Sequence, residues 1–380
     1  MVIRTEPRVL LDATAIPADR RGVGRYVDNL AAGLDRVGAA LTVVCQRRDA
    51  QVFAGLAPHS RIVPTAEELD NRPARLAWEQ TTLPRLARRL PVDLIHSPHY
   101  TMPLTASMPV VSTLHDATFF TDRAVHQGVK GRFFRSWTKV SLRRAAACVV
   151  PSAATADELV LHAGARRSKL VVAHHGVDHR VFHPPGSEQV AAAAAHLGLT
   201  GRRWIAFLGT LEPRKNVPAL IRGYVRAAKE LPEPPALVLA GSPGWDTAVE
   251  PALAAGPAGL TVLRPGHLPL DLLPGLLGGA QLVAYPSLGE GFGLPVLEGM
   301  ACGAPVLTTR RLALPEVGGD AVAYTGVGAG DIAEALVRLL GDDAERARLA
   351  AAGLARAAGF TWDHTASAHL RAYHRVVGDG

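Results

Sequence analysis

Two carboxylates, Glu290 and Glu298, lie eight residues apart in the segment Tyr285-Pro-Ser-Leu-Gly-Glu-Gly-Phe-Gly-Leu-Pro-Val-Leu-Glu-Gly-Met-Ala-Cys-Gly-Ala-Pro. Gly291 and Gly293 let a ligand approach the backbone, and Pro295 is placed to open a helix whose free N–H groups bind a phosphate or a sugar hydroxyl. Both carboxylates then face one cleft. Glu298 falls in the first turn of that helix on this reading, where a glutamate also complements the helix dipole with no ligand present. A second segment, Phe207-Leu-Gly-Thr-Leu-Glu-Pro-Arg-Lys-Asn, sets Arg214 and Lys215 between a strand and a helix. Cations are electrostatically disfavoured at a helix start, so a role in binding explains the pair better than solvation does. A third, Val110–Leu114 followed by His115-Asp116, puts a histidine at the carboxyl end of a strand, which opens on a cleft; a satisfied core histidine is the alternative.

These groups need elements to carry them. Short β-branched or leucine-rich runs alternate with segments of helical period, the pattern of parallel sheets covered by helices. Strands are expected at Val9–Asp12, Leu41–Cys45, Leu94–His96, Pro109–Leu114, Cys148–Val150 and Leu170–Val172, then at Trp204–Leu208, Ala236–Ala240, Thr261–Leu263, Leu282–Tyr285, Pro305–Thr308 and Ala321–Tyr324. The pattern restarts midway, so two doubly wound α/β units follow one another. Pro184, Pro185 and Gly186 within Asp178–Ser187 suggest a stiff interdomain hinge, dividing the chain at 1–182 and 183–361. The last segment, Trp362–Val377, spaces Ala366, Leu370, Tyr373 and Val377 as one face of an amphipathic helix, and 362–380 is expected to pack back on the first domain. The active cleft is expected between the domains, beside the carboxyl ends of the strands.

The composition agrees. The chain has 380 residues, 48% of them apolar and 20% charged, which excludes a disordered chain and a small disulfide scaffold. Only five of its 41 basic residues are Lys, so its charge of +7 is carried by arginine, whose planar fork suits phosphate and carboxylate. Cys45, Cys148 and Cys302 stand far apart in apolar stretches with no metal or redox spacing, which points to a reducing cytoplasm. The N-terminal apolar run ends at once in Asp12, so no secretory signal is drawn. Uncharged stretches at Leu94–Leu114 and Leu272–Gly289 are too interrupted by Pro, His or Gly to read as spanning helices. Near the N-terminus, Arg20-Arg-Gly-Val-Gly-Arg-Tyr resembles a phosphate loop that opens a helix. Position 27 is Val and no acidic residue ends the second strand, so a nicotinamide cofactor is disfavoured.

The Glu290–Glu298 string as a whole resembles the signature of the retaining glycosyltransferases of family four, the bacterial group 1, mannosyltransferase-like enzymes. Their GT-B fold sets two Rossmann-like domains about a cleft. The resemblance implies that Glu290 contacts the donor sugar and Glu298 the nucleotide ribose, whose diol a carboxylate suits as acceptor. It places the backbone of Phe292, Gly293 and Leu294 against sugar and diphosphate, and makes Gly209–Lys215 a diphosphate clamp. Arg214 and Lys215 would there stabilise charge on the leaving nucleotide. Many relatives carry an arginine close after the loop glycine; this chain has Gly209-Thr210-Leu211, so which cation holds which phosphate stays open. His115 is implied to position the hexose, Gly22 and Gly24 to line the cleft on the donor side, and Arg25 with Asp116 to meet the acceptor. Val150-Pro-Ser, His175-Gly-Val-Asp178, Leu314-Pro-Glu-Val-Gly-Gly-Asp320 and the closing Phe-Thr-Trp-Asp segment extend the likeness over almost the whole chain.

The activity so implied is α-retaining transfer of a hexose, with mannose from GDP-mannose preferred and UDP-glucose open, to a hydroxyl of a glycan or lipid-diphosphate acceptor, as in polysaccharide synthesis. An epimerase of the same fold is a second reading, and nucleic-acid binding a third supported only by charge. No Asp-x-Asp occurs, so no metal or other cofactor is expected to be required. The segment Lys130–Arg144 interleaves cations with Phe133, Trp137 and Val140 on one face. It reads either as a helix resting on the inner face of an anionic membrane or as a solvated outer helix.

Overall fold

A computed structural model describes residues 6–18, 20, 22–66, 69, 71–121, 128–256 and 259–378. The chain forms two compact units, Met1–Gly176 with Thr361–Gly380, and Val177–Phe360. The first holds a parallel sheet of seven strands: β1 (Val9–Asp12), β2 (Leu41–Cys45), β3 (Arg61–Pro64), β4 (Leu94–Ser97), β5 (Val110–Thr113), β6 (Ala147–Val150) and β7 (Leu170–Val172). Their order is β3-β2-β1-β4-β5-β6-β7. The second holds six parallel strands: β8 (Trp204–Leu208), β9 (Ala236–Ala240), β10 (Val262–Gly266), β11 (Leu282–Tyr285), β12 (Val306–Thr309) and β13 (Ala323–Thr325). Their order, β10-β9-β8-β11-β12-β13, repeats the doubly wound plan. Both α/β sheets thus match the expected class.

Alternation along each strand makes the two faces. Val9, Leu11, Val43, Val111 and Val149 pack on the side of the helices Gly22–Arg36 and Trp362–Gly378. Leu10, Val44, Ile95, Val110 and Cys148 fill the opposite core. All three cysteines are buried free thiols.

Three sequence expectations require correction. β3 was not anticipated, because this edge strand is only half buried and ends in proline, so it lacks an apolar run. The edge strand β10 extends beyond the expected Leu263 through Pro265 to Gly266, with a register shift that absorbs the proline. The stiff segment Asp178–Ser187 lies within the second unit rather than between the two: Val177 and Phe182 are buried in that unit's core, and Pro185 packs on Gly278. The first crossing between units is therefore at Gly176–Val177, ahead of the prolines.

The carboxy-terminal helix joins the first unit as expected, and two glycines admit it. A Cβ on Gly33 would lie 2.7 Å from the Trp362 carbonyl oxygen, and one on Gly176 only 2.3 Å from the Trp362 nitrogen. Gly→Ala inside a helix ordinarily stabilises by about 0.5–1 kcal/mol. At exposed Gly55, in the helix Ala50–Leu56, nothing obstructs a Cβ and that gain is expected. At Gly33, within Gly22–Arg36, the clash reverses the sign, and Gly33→Ala is expected to destabilise by roughly 1–3 kcal/mol in urea unfolding.

Candidate active site

In the second unit, strand order reverses between β8 and β11, which pair directly through Ile205 with Leu282 and Ala206 with Val283. Their following loops start side by side. The loop after β8 enters a short 3₁₀ turn, Pro213–Lys215, and the loop after β11 runs to the helix Leu294–Ala301. Backbone bonds stitch the loops together: Leu288 N–H donates to the Arg214 carbonyl at 2.8 Å, as does the Ser287 hydroxyl at 2.9 Å.

The stitching gathers a buried charge cluster. Glu290 Oε1 accepts from Lys215 Nζ at 2.7 Å, the Tyr285 hydroxyl at 2.8 Å and the Ser287 hydroxyl at 2.7 Å. Its Oε2 accepts from Arg214 Nη1, which also donates to the Gly289 carbonyl at 3.1 Å. Arg214 Nη2 pairs with Glu212 at 2.5 Å, and Lys215 donates to the Tyr285 hydroxyl. Two cations therefore face two carboxylates, a balance that lets all four sit largely out of water. Burial alone would raise the Glu290 pKa, but Arg214 and Lys215 outweigh it and bring it to about 2. Burial and Arg214 lower that of Lys215 against the pull of Glu290 and Glu212. Burial, with Glu290 adding to it, raises that of Tyr285.

Arg214, Lys215 and Glu290 are thus brought together, with Gly209 beside them: a Cβ there would lie 3.8 Å from Lys215 Cε. Thr210 accepts from Glu212 N–H at 2.8 Å through its carbonyl. Gly293 adopts φ +107° as the helix N-cap, a conformation few other residues take. The helix starts at Leu294 rather than Pro295, so Glu298 stands in the second turn. It is buried and does not serve the first-turn dipole contact considered from sequence. Leu294 packs against the core, and Phe292 is buried edge-to-face on Phe360 at 6.0 Å.

In the first unit, His115 follows β5. Its Nε2–H donates to the Pro98 carbonyl at 2.7 Å, and its ring stands edge-on to Tyr26 at 4.8 Å. Burial lowers its pKa, against the Pro98 bond and Asp116, so the neutral ring offers Nδ1 as an acceptor. Asp116 Oδ1 accepts from Thr118 N–H and hydroxyl at 3.1 and 2.8 Å, starting the short helix Thr118–Thr121. Gly22 and Gly24 lie in the first turn of Gly22–Arg36 rather than in a loop before it; Gly22 is exposed, Gly24 buried, and Arg25 half-buried. Glu212, Tyr285, Ser287 and Tyr26 received no role from sequence. Tyr285 closes β11 and so had strand alternation as a signal; Ser287, beyond the end of that strand, and Glu212 had none.

Residues 20–181 match the family described as Glycosyltransferase Family 4, and residues 202–342 the Glycosyl transferases group 1. The carboxy-terminal helix lies beyond both. An O-antigen chain mannosyltransferase B of Escherichia coli is 28% identical over 282 residues, 74% of either chain. A D-inositol 3-phosphate glycosyltransferase of Nocardia farcinica is 32% identical over 77% of this chain and 68% of its own. The chain spans about half the length of the mycobacterial D-inositol 3-phosphate glycosyltransferases it matches. Among solved structures, Anabaena Alr3699/HepE in complex with UDP and glucose superimposes with a TM-score of 0.75 at 17% identity, over 95% of this chain and 98% of its own. Sucrose-phosphate synthase from Thermosynechococcus elongatus gives 0.76 at 19%, over 99% and 100%.

Each sheet has Rossmann-like topology, and the fold is that of GT-B glycosyltransferases. The chain belongs to the family-four, group 1 glycosyltransferases.

Breaking the buried cluster carries a defined penalty. Glu290→Gln leaves two buried cations short of a carboxylate and is expected to destabilise by about 3 kcal/mol at pH 7 in urea unfolding. Because the folded pKa is depressed, this contribution is complete above the ordinary value of 4.5 and is lost as pH falls toward about 2. The gap between parent and variant should therefore narrow from pH 5 to pH 2.5.

Proposed function

We propose that the protein transfers a hexose, preferentially mannose from GDP-mannose, to a hydroxyl of a glycan or lipid-linked acceptor, retaining the α configuration. The carrying observation is the Glu290–Arg214–Lys215 cluster at the end of β8 and β11, where a strand-order reversal offers a nucleotide site. The likeness to a mannosyltransferase supports the sugar. Glu290 orients the sugar, Arg214 and Lys215 take the diphosphate, Glu298 serves the ribose, and Gly209, Thr210, Phe292, Gly293 and Leu294 shape the donor site. In the first unit Gly22 and Gly24 line the donor side, His115 takes the hexose, and Arg25 and Asp116 serve the acceptor.

Chemistry argues for this division. A carboxylate already accepting three bonds on one oxygen and an arginine on the other is a weak base and a poor nucleophile. In the proposed step the acceptor oxygen bonds to the anomeric carbon as the bond to the diphosphate oxygen breaks, and that diphosphate receives the acceptor's proton. Cationic side chains would stabilise its charge without a required metal.

Lys215→Ala is expected to lower kcat roughly 100-fold in a transfer assay with little change in donor KM. Glu298→Ala should instead weaken nucleotide binding. A thermal-shift panel of GDP, UDP, ADP and their sugars should give the largest rise with GDP-mannose. EDTA should leave transfer unchanged. Unaltered transfer in both variants would remove the site assignment, and donor-sugar conversion without acceptor would identify an epimerase.

Among the described residues no helix is long and apolar enough to cross a membrane. Contact at the inner membrane face is proposed through the helix Gly128–Arg144, where Phe133 is exposed, Trp137 stands 6.2 Å from it, and Arg132, Arg143 and Arg144 are exposed. Phe134 instead faces inward, stacked on Phe119 at 4.7 Å. Liposome flotation should require anionic lipid and be lost in Arg143→Glu/Arg144→Glu; binding indifferent to both would refute this contact.

A further inference from the structure

Five buried hydrogen bonds in the first unit form one chain whose direction is determined. The Thr365 carbonyl can only accept, so His369 Nδ1–H donates to it at 2.8 Å. Burial keeps the His369 ring neutral, leaving Nε2 a lone pair, which accepts from the Tyr26 hydroxyl at 2.8 Å. With its proton so used, Tyr26 accepts from Thr113 Oγ1 at 3.0 Å. Thr113 in turn accepts from His96 Nε2–H at 2.8 Å, and His96 Nδ1 accepts from the Tyr373 hydroxyl at 2.8 Å. Every side chain in the series is buried. It begins and ends in the carboxy-terminal helix and passes through β4, β5 and the helix Gly22–Arg36.

Tyr26 is the member that touches a candidate site residue. Its hydroxyl is held from both sides by Thr113 and His369, while its ring packs edge-to-face on His115 at 4.8 Å and against His175 at 4.9 Å. Thr113 also precedes His115 by two residues on the end of β5. His115 is anchored at Nε2 by the Pro98 carbonyl, and the Tyr26 ring packs on it at 4.8 Å, nearer than Tyr100 at 5.9 Å, His175 at 6.1 Å or His99 at 6.2 Å. We propose that Tyr26 is a positioning residue, through which the carboxy-terminal helix holds His115 with Nδ1 presented to a sugar hydroxyl. This rests on the assignment of His115 to the hexose.

The test compares Tyr26→Phe, Tyr373→Phe, His115→Ala and the Tyr26→Phe/His115→Ala double variant, together with ¹⁵N-histidine spectra of the full chain. Tyr26→Phe keeps the ring and removes its two hydroxyl bonds. It should lower kcat about tenfold with donor KM within twofold, and shift the His115 ring resonances. Tyr373→Phe breaks the chain at its far end; it should lower Tm but leave kcat within twofold. The double variant should be no slower than His115→Ala alone, because coupled residues are not additive. The parent spectra should give His369 as the Nδ1–H tautomer and His96 and His115 as Nε2–H.

Full transfer by His115→Ala would overturn the hexose assignment itself. A strongly impaired His115→Ala beside a Tyr26→Phe of normal kcat, or a double variant slowed additively, would overturn the positioning role alone. An Nε2–H tautomer at His369 would overturn the direction of the chain.

Discussion

In a parallel sheet, the strands on either side of a reversal in strand order send their connections to opposite faces, leaving their carboxyl ends uncovered. That constraint acts in both units, between β1 and β4 and between β8 and β11. In the second unit it juxtaposes loops about seventy residues apart in sequence, and the juxtaposition creates the electrostatic problem that the loops then solve. Arg214 and Lys215 are drawn into a poorly solvated place, and Glu290 and Glu212 arrive there to balance them. Tyr285 and Ser287 supply hydroxyl donors to Glu290, so the carboxylate is held as an oriented acceptor.

In the first unit, neutral groups join the carboxy-terminal helix to the sheet. Burial lowers the pKa of His96, His99, His115, His175 and His369, and uncharged imidazoles can each donate and accept. The series from Tyr373 to Thr365 uses that property to join elements remote in sequence without burying a net charge. Gly33 and Gly176 let the carboxy-terminal helix come near enough to close it.

Much of this was legible in the residues. The central strands were legible because they are buried on both faces and read as apolar runs; β1, β2, β8, β9 and β11 have the expected bounds. Among edge strands β7 also has the expected bounds, whereas β3 lacks an apolar run and β10 bends around a proline. Arg214, Lys215 and Glu290 stood out because cations before a helix and a carboxylate among glycines conflict with local preference. Glu212 and Tyr26 conflict with nothing locally, and only their neighbours in space give them work.

The sequence by itself determined the α/β class, the restart of the strand–helix pattern, the family and the residue types of the loops that follow β8 and β11. These follow from periodicity and from motifs contained within a few residues of the chain. Tertiary structure alone decided that the two cations are paired with two carboxylates, that the proline segment belongs to the second unit, and that Tyr26 links His115 to the last helix. Those facts depend on contacts between residues as much as 343 positions apart, and local sequence preference carries no record of such partners.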